Sequence, residues 1–176
     1  MPRNYLRSRA ALLTSSVLAL VVAGLFLQPE IVSAYWHLRF GNATPFHGWS
    51  VPVPRGWWAF RHDDQLIIQR MLRFYERGDP AGIIVQVSTP GKPIEPETLK
   101  RASIQRISND GYVFEEDRPI HIGTTDGYCL RFSATGRPPS IRMTCEAPSA
   151  QLSIDFYGSL SDVEAFDSVV VRLKPD

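Results

Sequence analysis

The feature that most constrains this chain is an uncharged apolar stretch close to its N-terminus, residues 10–27. Its only polar side chains are those of Thr14, Ser15 and Ser16. As an α-helix rising about 1.5 Å per residue it would be about 27 Å long, close to the roughly 30 Å thickness of a bilayer's hydrocarbon core. Leucine, valine and alanine would lie on all its sides, so it lacks the polar stripe of a surface helix. The stretch therefore predicts a transmembrane segment.

The residues that precede this segment predict its orientation. Residues 1–9 contain Arg3, Arg7 and Arg9 and no acidic residue. Positively charged flanks tend to stay on the cytoplasmic side of a membrane. We therefore expect a cytoplasmic N-terminus and an extracytoplasmic C-terminal part.

The apolar segment has two alternative fates, retention as an anchor or removal as a signal peptide. Residues 32–34, Val-Ser-Ala, form an acceptable cleavage site ahead of Tyr35, and Pro29 would break the helix before it. Cleavage near Ala34 would release a secreted domain. The apolar run is longer than the roughly 7 to 15 residues of most cleaved signals, and Tyr35 and Trp36 suit an outer membrane interface. We expect a retained anchor; a buried helix of a soluble protein fits the arginine-flanked position less well.

The charge pattern argues against a nucleic-acid partner. The chain has 19 basic and 18 acidic residues, and their signs alternate along the sequence. Nucleic-acid binders usually carry a basic stripe instead. We expect residues 46–176 to form one extracytoplasmic domain, joined to the membrane segment by residues 35–45, which are a linker or an edge segment of the sheet. The expected partners are the membrane, through residues 10–27, and an unidentified protein.

Short apolar runs separated by turn signals predict strands in most of this domain. The predicted strands are 46–54, 57–60, 66–72, 83–87, 112–116, 120–122, 127–135, 141–146 and 151–157. Predicted turns are 62–64, 78–80, 90–91, 124–127, 136–139 and 147–149. Pro52 and Pro54 cannot donate hydrogen bonds, so the first of these strands should be short or lie at an edge.

Two segments have helical periodicity. The first spans residues 93–110, with Pro96 in its first turn and Gly111 at its end. Its apolar face is formed by Leu99, Ser103, Ile104 and Ile107. In the second helix, Ser161 and Glu164 predict a capping box, with Leu160 packing on Ala165. Its apolar stripe consists of Phe166, Val169, Val170 and Leu173. The order of elements predicts an α+β domain, an antiparallel β-sheet with two helices packed on it.

Two of these motifs are similar to those of a known family. Residues 50–57, Ser-Val-Pro-Val-Pro-Arg-Gly-Trp, resemble the opening strand and turn of PsbP/Mog1-like domains. The C-terminal helix with Phe166 and Val169 resembles their closing helix, so the resemblance covers about residues 46–173. It implies an α/β/α sandwich, extracytoplasmic in many members and usually without catalysis. Members serve as accessory or assembly factors, and the resemblance supplies no active-site residue.

The only cysteines, Cys129 and Cys145, are expected to form a disulfide, because they lie in an exported domain on strands that flank residues 135–140. The pattern of apolar residues raises an objection. Leu130 lies on the apolar face of the first strand and Cys129 on the other, whereas Cys145 shares an apolar face with Met143. A bulge, or burial on both faces, would remove the conflict. Two free buried thiols are the alternative; without a Cys-x-x-Cys pair, a metal or catalytic role is not expected.

No motif in the sequence predicts catalysis, a metal or a cofactor. The histidines lack metal-ligand spacing, and no Gly-x-Ser-x-Gly elbow or phosphate-binding glycine loop is present. His62 beside Asp63 and Asp64 comes nearest to a site, but adjacent residues in a tight turn seldom converge on one ion. We interpret them as a solvated hairpin and expect a protein that is not an enzyme.

The tryptophans suggest a contact surface. Trp57 and Trp58 are neighbours on a predicted strand, so they face opposite sides of the sheet. Either helices cover both faces, or one ring is exposed for a partner. The candidate contact surface comprises Trp57, Trp58, His62, Asp63 and Asp64. The expected function is protein contact or complex assembly by a membrane-anchored, non-catalytic domain; a module binding a small ligand or glycan is the alternative, and a hydrolase is a weaker one.

Overall fold

The structure, a computed structural model, describes residues 3–73, 76, 80–88, 95–134 and 140–176, with the side chains of residues 3–14 omitted. Three α-helices lie in this part of the chain: α1 is Arg3–Phe40, α2 is Pro96–Asn109 and α3 is Val163–Arg172. Of the predicted features, the turns at 78–80, 90–91 and 136–139 lie wholly or partly outside the described residues. The predicted start of the first amphipathic helix at residue 93 lies outside them too.

The strands form two antiparallel sheets. In chain order they are β1 Ala43–Phe46, β2 Trp49–Pro52, β3 Trp57–His62, β4 Gln65–Arg70, β5 Gly82–Val87, β6 Val113–Ile122, β7 Thr125–Ala134, β8 Ser140–Ala147, β9 Leu152–Gly158 and β10 Lys174–Pro175. The large sheet has the order β3-β4-β5-β9-β8-β7-β6, and the small one β1-β2-β10. The predicted α+β class and antiparallel pairing are confirmed.

Helix α1 is longer than predicted. The helix runs through Pro29 to Phe40, and its segment Ser15–Phe40 is long and apolar enough to cross a membrane. The expected break at Pro29 is wrong, because the helix continues to Phe40, so residues 35–40 are not a linker. Residues 43–46 pair with β2 as an edge strand, in agreement with the alternative of an edge segment. Pro29 costs the helix one hydrogen bond. Burial of that proline against the domain accompanies the continuous helix.

Three predicted strands have different boundaries. The run at 46–54 is a hairpin instead, in which His47 and Gly48 adopt positive φ between β1 and β2. Strand β2 is short, as expected, but it is the central strand of its sheet. It tolerates Pro52 there because β10 pairs only with Trp49 and Ser50. The runs at 112–116 and 120–122 are parts of the single strand β6, with a bulge between Phe114 and Glu116.

Helix α3 begins from a different cap than predicted. Residues Leu160–Asp162 form a 3-10 turn, and the capping box joins Ser159 to Asp162. The Ser159 hydroxyl donates to Asp162 Oδ2 at 2.6 Å, and the Ser159 amide donates to the same oxygen at 3.2 Å. The predicted box of Ser161 and Glu164 is therefore wrong, as is the packing of Leu160, which is 64% exposed. The predicted apolar stripe is buried.

The sheet has apolar clusters on both faces, which we call the core face and the outer face. The core face carries Trp57, Ile68 and Phe156, and the Phe156 ring lies 5.2 Å from that of Phe166 in α3. The outer face carries a second cluster in which Ile107 of α2 joins residues of β7. The members from β7 are Tyr128, Leu130 and Phe132.

Candidate functional site

Cys129 and Cys145 form the predicted disulfide, and burial on both faces of the sheet explains why their side chains lie on the same face. Cys129 and Cys145 are directly opposite each other in the β7–β8 register, with Cα atoms 4.0 Å apart. Both side chains belong to the core-face cluster together with Met143, whereas Leu130 belongs to the outer-face cluster. Burial on both faces therefore removes the conflict that the apolar pattern raised, and no bulge between these strands is required.

Strand β3 separates the members of the predicted contact surface. Trp57 is only 3% exposed and lies in the core. Trp58 points to the outer face, and its ring stacks on that of Phe60 at 4.8 Å. His62 ends the strand, and Asp63 and Asp64 form the tip of the hairpin. The five residues thus do not form one surface, because consecutive strand residues alternate between the faces.

The hairpin tip is solvated. The His62 imidazole lies 3.7 Å from the Asp63 carboxylate, and the two side chains are 68% and 88% exposed. Among the residues that the structure describes, no group of three metal-ligating side chains converges. The tip therefore presents exposed charge to solvent.

Near Trp58, part of the outer face is apolar and incompletely covered. Phe60 is directly opposite Ile67 in the β3–β4 register, and Ile67 is directly opposite Ile84 in the β4–β5 register, so the three side chains form a row. Each is partly exposed, and none belongs to the apolar clusters of the described chain. We call Trp58, Phe60, Ile67 and Ile84 the open patch; Trp58 lies at its border and also packs against the core-face cluster.

Helix α2 covers the other half of the outer face. Ile107, Leu130 and Phe132 are completely buried. Beside them, Ser103 donates to Glu146 Oε1 at 3.3 Å, and the Tyr128 hydroxyl donates to Glu146 Oε2 at 2.7 Å. Polar groups under α2 are thus paired with one another.

A cleft of about 320 Å³ lies at the end of α2, lined by Lys100, Asp117, Asp126 and Tyr128 among others. Lys100 Nζ lies 2.9 Å from Asp117 Oδ2 and 3.3 Å from Glu97 Oε1, and 4.9 Å from the Tyr128 ring centre. The cation of this cleft is therefore already bound by two carboxylates.

Contacts at the cleft raise the pKa of both Lys100 and Tyr128. The hydrogen bond to Asp117 raises the pKa of Lys100 above its ordinary value. Burial, with the hydrogen bond to Glu146, raises the pKa of Tyr128 well above its usual range. A lysine or tyrosine that acts as a nucleophile or base needs a lowered pKa. Both groups keep their protons near neutral pH, and the ion pair of Lys100 with Asp117 joins α2 to β6.

The last turns of α1 lie against β3 and the segment before it. Ser33 donates to the carbonyl of Trp57 at 3.0 Å, and the Trp36 indole donates to the carbonyl of Ala59 at 2.9 Å. His37 Nε2 lies 3.1 Å from the Pro54 carbonyl oxygen.

An ion pair extends this contact to the segment that follows β4, where Arg73 Nη2 lies 2.6 Å from Glu30 Oε1 of α1. Ser33 and Trp36 are 4% and 7% exposed. The hydrogen-bonded groups thus lie largely out of solvent, and α1 is fixed to the domain rather than tethered by a loop.

Comparison with known proteins does not assign the chain to a family. No protein-family model matches it, and no curated protein matches it. The function therefore has to be inferred from the geometry described above.

The sequence interpretation missed the open patch beyond Trp58 and the junction of α1. Phe60, Ile67 and Ile84 were assigned to strands, but their cross-strand neighbours depend on the register. For the junction a signal existed: Pro29, Ser33 and Trp36 recur at helical spacing. The expectation that Pro29 ends the helix concealed this periodicity.

Proposed function

We propose that the chain is a membrane-anchored, extracytoplasmic, non-catalytic domain that binds another protein through its open patch. The observation that carries this proposal is the contrast within one sheet face: α2 buries one half, and Phe60, Ile67 and Ile84 remain partly exposed in the other. Contiguous apolar side chains on a surface are typical of interaction sites. The PsbP/Mog1-like α/β/α sandwich is part of the proposal, and helix contacts on both faces of the sheet support it.

Retention of the anchor is supported by the junction of α1. Cleavage after Ala34 would remove Glu30 and Ser33, and with them the ion pair to Arg73 and the hydrogen bond to the Trp57 carbonyl. It would also expose the surface against which they pack. An extracytoplasmic location is supported by the disulfide, since disulfides persist in oxidising compartments.

The contact function is tested by site-specific photo-cross-linking of the full chain in its membrane. We expect a photoreactive residue at Ile67 to give an adduct of one defined mass, and an Ile84→Lys substitution to abolish that adduct. The matched control is His121, an exposed residue of β6 at the opposite edge of the sheet. Equal labelling at the two positions, or none at Ile67, would contradict the proposed contact.

The anchor is tested separately by N-terminal sequencing of the membrane-associated protein. We expect the arginine-rich N-terminus to remain on the chain and a protease added outside the membrane to digest the domain. A mature chain that starts at Tyr35 would refute the anchor. Protection of the domain from external protease would refute the orientation.

A further inference from the structure

The side of α1 that faces away from the domain carries an exposed apolar stripe. Its large side chains are Val17, Leu20, Leu27, Ile31 and Leu38, which are 59%, 73%, 52%, 57% and 87% exposed. Gly24 and Ala34, also exposed, complete the spacing. At 100° per residue, these seven positions lie on one side of the helix and Pro29, Ser33 and Trp36 on the opposite side. The domain is fixed to that second side, so it does not cover the stripe.

The stripe follows a strict seven-residue repeat. Val17, Gly24, Ile31 and Leu38 recur every seven residues, and Leu20, Leu27 and Ala34 do the same, with alternating steps of three and four. This is the spacing of the a and d positions of a coiled coil. Up to Leu27 apolar side chains lie all round the helix, so every register is apolar there. Beyond Leu27 the register is selective, because Ile31, Ala34 and Leu38 continue it while Gln28, Glu30 and Arg39 lie outside it.

The stripe continues past residues 10–27, the transmembrane segment that the sequence predicts. Glu30 is the first charged residue after the apolar run, and Leu38 lies about 12 Å further along the helix axis. The headgroup layer on each side of a bilayer is only about 5 to 7 Å thick. The two most distal large residues of the stripe, Ile31 and Leu38, therefore extend from the headgroup level into water, where exposed leucine is unfavourable.

We propose that a second copy of this chain covers the stripe, so that the protein is a parallel homodimer along α1. The inference rests on the proposed membrane anchor, because two copies inserted in one membrane point the same way. Val17 and Ile31 at a positions with Leu20 and Leu27 at d positions favour two-stranded pairing. Gly24 allows close approach of the helices within the membrane.

The surrounding charges and the position of the domains are compatible with this dimer. Glu30 is directed to Arg73 of its own domain, so two copies of its carboxylate do not meet across the stripe. The stripe itself contains no charged residue. Because each domain is fixed opposite the stripe, the two domains of a symmetric pair lie on the outside and leave the helices free to meet.

Cysteine cross-linking of the full chain in membranes tests the dimer. The two native cysteines are bonded to each other, so a substituted cysteine is the only free thiol. We expect Ile31→Cys and Leu38→Cys, on oxidation, to give a band of twice the 19.8 kDa chain mass. The matched control is Arg39→Cys, an exposed position next to the stripe, which should give a several-fold lower yield.

The other outcomes are distinguishable. A full-length monomer at both stripe positions, or an equal yield at Arg39→Cys, overturns the dimer and leaves the anchor intact. A chain that stays monomeric on oxidation and whose Leu38→Cys is nevertheless shielded from a membrane-impermeant maleimide has its stripe covered by lipid, which overturns the dimer. A chain shortened to begin near Tyr35 overturns the anchor together with the dimer.

Discussion

The two halves of the outer face of the sheet carry similar residues, but a helix packs on only one of them. Leu130 and Phe132 of the covered half are completely buried by α2, whereas Ile67 and Ile84 of the open half are partly exposed. Both pairs are large apolar side chains on the same face of the same sheet. The contrast shows that a strand pattern indicates which residues are suited to burial, while a separate element decides which are buried.

The apolar residues of the open half are unusual for a face that is exposed to solvent. At their centres, strands β4 and β5 carry apolar residues on both faces, since Ile68 and Ile83 of the core face are completely buried and Ile67 and Ile84 alternate with them. On the outer face these two isoleucines are flanked by Gln65, Gln69, Gly82 and Gln86. A sheet with one solvated face normally alternates apolar with polar residues. Apolar residues on both faces are typical of strands covered on both sides, which supports a partner at the open patch.

Truncating one large side chain in each half tests the difference in burial between the halves most directly. We expect Phe132→Ala to lower the free energy of unfolding by about 3–5 kcal/mol, because it leaves a cavity under α2. The matched variant Ile67→Ala should cost about 1 kcal/mol or less, since less of its area is removed from water on folding. Denaturant titration of the detergent-solubilised chain, followed by tryptophan fluorescence, measures both values. Equal losses would contradict the distinction between the halves.

The disulfide joins β7 and β8 beneath the covered half, so its removal tests the stability of that half alone. Its loop has a sequence separation of 16 residues, so replacing both Cys129 and Cys145 by alanine should lower the free energy of unfolding by about 3 kcal/mol in the chain-entropy model. Hydrogen exchange should accelerate more in β7 and β8 than in β4. A mass increase of about two daltons on reduction is the control that the bond existed in the parent protein. Unchanged mass on reduction would contradict the bond.

The smallest expected effect concerns the phenol under α2 and its dependence on pH. Burial and the bond to Glu146 raise the pKa of Tyr128, so its contribution to stability is complete below the unfolded value of about 10 and is lost as the pH rises above it. We expect Tyr128→Phe to cost about 1–2 kcal/mol near neutral pH, the usual loss when a charged acceptor loses its donor.

The pH dependence separates this residue from other tyrosines. The parent protein should lose more stability than Tyr128→Phe between about pH 8 and about pH 11. In the parent, the Tyr128 phenol ionises more readily in the unfolded chain than in the folded one, so alkali favours unfolding. Tyr35→Phe, at a position 60% exposed, should behave like the parent. Unfolding titrations at both pH values provide the comparison, and parallel losses in all three proteins would contradict the assigned role.

Local patterns were sufficient for several elements. The hairpin around Asp63 and Asp64, the helix closed by Gly111, and the stripe of the last helix were predicted from residues close to them in the chain. Turn residues, glycine at positive φ and helical spacing act over a few residues, so their effects can be recognised in the sequence.

Features that depend on distant packing were not predicted correctly. The helix through Pro29 continues to Phe40 because Ser33 and Trp36 are bonded to the carbonyls of β3, far along the chain. The capping box ahead of α3 joins Ser159 to Asp162 rather than Ser161 to Glu164, and the Asp162 carboxylate also lies 3.1 Å from the Arg70 guanidinium of β4. In both cases a tertiary contact outweighs the local preference.

By itself, the sequence determined the apolar N-terminal helix, the α+β class and the strands that place the two cysteines within reach of each other. Each follows from periodicity or composition, which the chain carries locally. Only the tertiary structure decided that Trp57 is buried while Trp58 borders an open patch, and that the last turns of α1 are fixed to the domain. Register and docking join residues far apart in the chain, and no local preference specifies which surface remains uncovered.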